Sequence, residues 1–191
     1  MKKAFQWGEI LPSLKGTRLK LESLKTDDAP QILAIFGDPE VMRYWGMPPL
    51  ENTNDARRFI KETHEEFARR DLFGWGIRWN ETGKIVGTST LLNLDRPNRR
   101  GEIGFAVAQA SWGKGIATEA VETLIGFAFN TLDLHRLEAD VDPKNTASLR
   151  VLEKQGFVRE GLLRERWYQM GEVQDTVFLG LLKREWTGGS V

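Results

Sequence analysis

The stretch Gly101–Thr118, GEIGFAVAQASWGKGIAT, decides the fold. It reads as a short alternating strand, a glycine-rich turn and the first residues of a helix. Such a turn presents several unpaired backbone N–H groups at the positive end of a helix dipole. That is a site for a phosphate or pyrophosphate. The strand feeding it carries one carboxylate, Glu102, among apolar residues. An anion cradle beside a carboxylate on a half-buried strand points to a nucleotide-bearing cosubstrate and proton transfer.

Working outward, Thr118–Leu132 places Val121, Leu124, Ile125, Ala128 and Leu132 at helical spacing. Leu137–Val141 reads as a strand. Asp142-Pro143-Lys144-Asn145 is a turn opening a helix over Thr146–Lys154, and Gly156 stops it. Phe157–Tyr168 and Val173–Leu182 form a long hairpin turning near Gly171. Upstream, Phe73–Asn80 and Ile85–Leu94 form a hairpin through Glu81–Lys84. A strand lies within Thr17–Leu24, with Leu19 and Leu21 against Arg18, Lys20 and Glu22. One helix follows Thr26 or Asp27, with Pro30 in its first turn. Another runs from Asn54 or Asp55 to about Arg70. Pro39–Pro49 is a connector, and Met1–Lys15 and Thr187–Val191 are expected to be loose. About seven strands and four helices in mixed order predict an α/β (α+β) layered fold with a largely antiparallel sheet and one crossover.

The chain has 191 residues, 40% hydrophobic and 28% charged, the size and balance of one globular domain with a sizeable core. Lys+Arg and Asp+Glu both total 27, so no global basic field recruits nucleic acid. Cysteine is absent, which removes disulfides, thiolate metal sites and a cysteine nucleophile, and fits a cytoplasmic protein. His64 and His135 are too few for a zinc site, and no metal is expected. No apolar run reaches the ~18 residues of a membrane span. Neither a signal peptide nor a membrane partner is expected.

Three phosphate-binding patterns compete for Gly113–Thr118. A P-loop needs G-x-x-x-x-G-K-[ST]; here the lysine sits between the glycines and no Ser or Thr follows it. A dinucleotide fingerprint would put its third small residue at Thr118 and its ribose acid near Glu138, but it wants a βαβ context, and hairpins precede this turn. The third pattern is an acyl-CoA site. Trp112-Gly113-Lys114-Gly115-Ile116-Ala117 resembles the pyrophosphate loop [QR]-x-x-G-x-[GA] of GNAT-superfamily N-acetyltransferases, with Trp112 where Gln or Arg is usual. Asn145–Phe157, NTASLRVLEKQGF, is similar to the N-x-x-S-x-x-[VL]-L-E-K-x-G-F segment of the branch that acetylates ribosomal-protein N-termini (RimJ/RimL-type). Glu102-Ile103-Gly104-Phe105 resembles that branch's E-I-G-[YF] strand. The resemblance covers roughly Thr17 to Trp186 and implies one acetyltransferase domain over residues 1–191, with its core at about 17–186.

The resemblance also implies roles. Backbone N–H groups of Gly113, Lys114, Gly115, Ile116, Ala117 and Thr118 would hold the pyrophosphate of acetyl-CoA. Phe105, Ala106 and Val107 would lend main-chain groups to its pantetheine, with the next strand splayed away. Asn145 matches an asparagine that contacts CoA, and it also suits a helix cap. Glu102 is the candidate base for deprotonating an amine, since burial would raise its pKa into a useful range; the alternative is an exposed residue paired with Arg99 or Arg100. The tyrosine that many members use as acid is replaced by Leu152, leaving Ser148 and Tyr168 as candidates. Ser148 also contacts the cofactor in this reading.

The acceptor would enter between Arg43–Pro49 and the final hairpin, where Tyr44, Trp45, Glu102, Trp167, Tyr168 and Met170 would line the mouth, and Glu165 or Asp175 would hold an ammonium group. The leading expectation is acetylation of a protein or peptide N-terminus by a monomer or homodimer. The alternatives are a small amine (amino acid, polyamine or antibiotic) as acceptor, or a CoA-binding module without turnover.

Overall fold

The computed structural model describes residues 7–169 and 171–188. Its eight strands are β1 (Leu14–Lys15), β2 (Leu19–Glu22), β3 (Phe73–Trp79), β4 (Ile85–Asp95), β5 (Arg100–Val107), β6 (Arg136–Val141), β7 (Val158–Gln169) and β8 (Glu172–Leu182). They form one sheet in the order β1-β2-β3-β4-β5-β6-β8-β7. Every pairing is antiparallel except β5 with β6. The helices are α1 (Ala29–Phe36), α2 (Pro39–Met42), α3 (Thr53–Arg69), α4 (Ile116–Gly126) and α5 (Thr146–Lys154). The α/β class and mostly antiparallel sheet are those read from the sequence.

Two elements exceed the expected seven strands and four helices. The eighth strand, β1, lies in the segment expected to be loose. There Leu11 is buried, and Trp7 donates through Nε1 to Phe67 O at 3.0 Å and packs on Phe73 with centroids 4.1 Å apart. Pro12 O accepts from Trp75 Nε1 at 2.7 Å. Apolar anchors and indole hydrogen bonds therefore hold this segment on the core. The fifth helix, α2, starts inside the Pro39–Pro49 connector: Asp38 Oδ1 accepts from Glu40 N at 2.9 Å and Pro39 fills the first helical position.

α3 begins one residue earlier than read. Asn52 caps it, accepting from Asn54 N at 2.9 Å and Asp55 N at 3.2 Å, while Asp55 Oδ2 accepts from Asn52 N. The helix read over Thr118–Leu132 changes pitch at Phe127, and Leu132 N reaches back five residues to Phe127 O at 3.1 Å. Two hydrophobic clusters result. One surrounds Trp75, Leu91, Val121 and Leu124; the other gathers Ile32, Phe36 and Ile60 from α1 and α3. Each large apolar side chain fully buried in them contributes about 1.5–3 kcal/mol.

The ladder between β5 and β6 positions the site. Its register is Arg100↔Arg136, Gly101↔Leu137 and Glu102↔Glu138, and it stops there. β5 nonetheless continues to Val107 and β6 to Val141. Beyond Glu102 the strands part, and the opening lies beside the turn that leads into α4.

Candidate active site

The first cleft, of about 470 Å³, is walled by the end of β5, the glycine turn, the start of α4 and the start of α5. Gly113 and Gly115 have φ of 73° and 75°, values that L side chains rarely adopt. Trp112 N donates to Gln109 O and Glu119 N to Gly115 O; the amides between them, from Gly113 to Thr118, make no backbone hydrogen bond among the described residues. This leaves a row of free donors at the α4 N-terminus.

Trp112, the irregular position of the motif, donates through Nε1 to Val107 O at 2.7 Å and so ties the turn to β5. Arg18, which the sequence reading passed over, braces the other side. Its Nη1 donates to Lys114 O at 3.1 Å, and its Nε donates to Glu119 Oε2 at 2.8 Å. Only the pairing of β2 beside α4 brings Arg18 there.

Of the residues expected at CoA, Phe105, Ala106, Val107, Gly113, Gly115, Ile116, Ala117, Thr118, Asn145 and Ser148 all line this cleft. The Lys114 side chain does not: its Nζ turns back to Ala110 O at 2.8 Å. Two basic residues that were not singled out, Arg43 and Lys144, line it instead. Asn145 Oδ1 caps α5 through Ser148 N at 3.1 Å, which leaves its Nδ2 as the donor for a ligand. Ser148 Oγ makes no hydrogen bond among the described residues, so its own backbone does not occupy it.

The second cleft, of about 280 Å³, occupies the gap where β5 and β6 part. Tyr44, Trp45, Phe105, Asn145 and Ser148 line both clefts, so the two meet along that seam. Glu102 and Trp167 line the second only. Glu102 is paired with neither neighbouring arginine: Arg99 bonds Asp133, and Arg100 bonds Glu138 and Asp95. Glu138 thus serves an ion-pair network with Arg100 and Arg136 rather than a ribose.

Glu102 Oε2 accepts from Asn93 Nδ2 at 2.8 Å, and Asn93 sits at φ 49° where the β4–β5 register shifts. Burial pushes the Glu102 carboxyl above the ordinary glutamate range; the Asn93 bond opposes this, Asp140 and Glu138 reinforce it, and Arg166 opposes it. Burial likewise raises Asp140, against the pull of Arg166.

Tyr168 is not brought to the site. It is 77% exposed and lines neither cleft, because strand neighbours point to opposite faces and Trp167 takes the inward one. Asp175 lines the second cleft, with Oδ1 accepting from Glu165 N at 2.8 Å; the Glu165 side chain lines neither cleft. Met170 lies outside the described residues. His64 bonds Ser23 and Leu24, His135 donates its backbone N–H to Arg99 O, and neither lines either cleft. Leu152 is buried and lines the second cleft with no polar group to offer. Sequence reading missed Asp140. The signal was the charged row Arg136, Glu138 and Asp140 on one face of β6, whose other face is buried.

The sequence pattern described as the Acetyltransferase (GNAT) domain matches residues 18–158. The chain belongs to the GNAT acetyltransferase family. It is similar to the uncharacterized N-acetyltransferase p20 of Bacillus licheniformis, 35% identical over 93% of this chain and 100% of that protein. It is also similar to the putative ribosomal N-acetyltransferase YdaF of Bacillus subtilis, 42% identical over 72% of this chain and 76% of that one. Its fold superposes on Mycobacterium smegmatis RimJ in complex with CoA-disulfide with a TM-score of 0.86, at 24% identity over 95% of this chain and 92% of that one. As a member of the family it is an acetyl-CoA-dependent N-acetyltransferase. The first cleft fits that cosubstrate, with free amides and positive-φ glycines at a helix N-terminus and two basic side chains. No helix among the described residues is long and apolar enough to cross a membrane.

Proposed function

We propose that this acetyltransferase works in the cytoplasm on the α-amino group of a protein or peptide, by direct attack while both substrates are bound. The observation that carries this reading is the meeting of the two clefts at Phe105, Asn145 and Ser148, with Glu102 in the second alone. Both substrates then have separate seats and a shared seam, and no enzyme-bound acetyl group is needed. The printed description of YdaF as a putative ribosomal N-acetyltransferase supports the choice of acceptor.

In this reading the amides of Gly113–Thr118 hold the pyrophosphate, aided by Arg43 and Lys144, and β5 main-chain groups at Phe105–Val107 orient the pantetheine. A β5 N–H near the seam polarises the thioester carbonyl, a kind of contact that can contribute roughly 2.7–4 kcal/mol. Glu102 takes a proton from the acceptor ammonium, directly or through a water. An α-amino group has a pKa of about 7.7–8.0, so a carboxylate with a raised pKa is a sufficient base. Ser148 Oγ, free of other bonds, donates to the departing sulfur, whose thiol pKa of about 8.5 makes it a tolerable leaving group.

A small amine is a second reading, and the acidic lining of the second cleft favours it. The test follows thiol release from acetyl-CoA against N-terminal peptides and small amines. Release with peptides supports the proposal, and release with small amines alone supports the second reading. CoA binding without release from any acceptor would identify a binding module.

A further inference from the structure

Glu102, Asp140, Asp142 and Asp175 line the second cleft, and no lysine or arginine does among the described residues. Tyr44, Trp45 and Trp167 add aromatic faces. No three of the described acidic or imidazole groups gather closely enough to hold a metal ion, so these carboxylates are spread along the cleft. Asp140 supplies an independent sign of a ligand. Its side chain is only 9% exposed, and its Oδ1 is buried with no hydrogen-bond partner among the described residues. An unsatisfied buried carboxylate oxygen is costly to maintain and marks a missing partner.

Among the described residues the other oxygen meets a single cation, Arg166 Nε, at 3.6 Å. That is longer than the about 2.7–2.9 Å of a charge-assisted hydrogen bond. Arg166 is itself 48% exposed, and its guanidinium lies 5.3 Å from the centre of the Trp167 ring. It sits in the stretch where the β7–β8 register shifts, next to Glu165 at φ 52°. The pair is buried and underbonded on the Asp140 side and loose on the Arg166 side.

The chemistry of transfer assigns the other charges. The reacting nitrogen gives its proton to Glu102 and attacks as a neutral amine, so it cannot hold Asp140 in the reactive state. Asp140 therefore faces a charge that persists through the reaction. We propose that Asp140 seats a second positive charge on the acceptor, that Arg166, lying over Trp167, holds this seat until the acceptor displaces it, and that preferred acceptors are primary amines bearing another cationic group. This rests on the second cleft being the acceptor site. The second cation can be a lysine or arginine side chain close to a peptide N-terminus, or another amine of a small polyamine.

Three acceptors test it at saturating acetyl-CoA: a peptide with lysine in second position, the same peptide with norleucine there, and a linear triamine. Each is assayed with wild type, Asp140→Asn and Arg166→Gln. Wild type should favour the lysine peptide or the triamine over the norleucine peptide by about tenfold in kcat/KM, through KM. Asp140→Asn should raise KM for the dicationic acceptor by about tenfold, with the norleucine peptide within about twofold. Arg166→Gln should lower KM for the dicationic acceptor, since a competitor is gone. A purely structural ion pair would move both variants in one direction and lower both melting temperatures; that result, or use of the norleucine peptide by wild type as readily as both dicationic acceptors, overturns the inference. Calorimetric binding of the same acceptors to the CoA complex reads the Asp140 preference without turnover. No thiol release from any acceptor defeats the proposed reaction, whereas acceptor binding indifferent to Asp140→Asn defeats this inference.

Discussion

The two clefts share a seam but are built from different materials. The first is built around a backbone feature, the glycine turn at the α4 N-terminus, beside the end of β5, the start of α5 and the Glu40–Trp45 segment. The second draws its lining from many elements: β4, β5, β6, α5 and its cap, the hairpin β7–β8 and the connector after α2. Charge differs between them: Arg43 and Lys144 line the first beside one carboxylate, Glu40, and four carboxylates line the second, in a chain whose formal net charge is zero. A backbone cradle suits a cosubstrate common to a whole family. A side-chain cleft can be retuned for the acceptor by changing residues that do not hold the sheet together.

This contrast predicts separable defects. The largest belongs to Glu102→Gln, which should cost about a hundredfold or more in kcat/KM while the calorimetric affinity for CoA stays unchanged. In wild type the acid limb of kcat/KM should lie above the ordinary glutamate range, because activity needs the ionised form and burial raises its pKa. The same shift has a stability sign. A carboxyl whose folded pKa is raised is destabilising once ionised. Glu102→Gln should therefore raise the melting temperature at neutral pH, and the gain should vanish as the pH falls through the raised pKa. A limb in the ordinary range, or no loss of rate, would remove Glu102 as the base.

Next in size is Gly115→Ala, which forces a side chain into φ 75° with its Cβ 3.2 Å from Arg18 Nη2. A left-handed residue costs about 1–2 kcal/mol, so CoA affinity should fall by about five- to thirtyfold. Acceptor preference should be unchanged; a changed preference would break the division between the clefts. Asn145→Ala removes the α5 cap and should lower stability by about 1 kcal/mol in denaturant titration, with weaker CoA binding. The smallest effect is expected for Tyr168→Phe: an exposed residue outside both clefts should change kcat/KM by less than about twofold. A larger loss would place its hydroxyl at the sulfur after all.

The cradle was legible in the sequence because it depends on local rules. Glycine spacing, a helix start and a short alternating strand act within a few residues, and Gly113–Thr118 and Asn145–Ser148 fall where those rules put them. Trp112 looked irregular only because its hydrogen bond to Val107 O joins the turn to a strand five residues back. The second cleft was far less legible. Tyr44, Trp45 and Trp167 line it as their amphipathic rings suggested, but Tyr168 was lost to strand alternation. Asp140 was missed because its neighbours come from β5 and β7 rather than from its own strand. β1 was missed because its anchors, Trp7 and Leu11, pack on residues some sixty positions away.

By itself the sequence determined the order of elements, the glycine turn on a helix N-terminus and the family those patterns belong to. Each depends on contacts a few residues long, which composition and spacing encode directly. Only the tertiary structure decided that β5 and β6 part after Glu102 and Glu138, that Arg18 braces the turn, and that Asp140 lies buried against Arg166 in the cleft so opened. These depend on strands far apart in the chain meeting in one register. Register is fixed by burial of the whole sheet, not by any local signal.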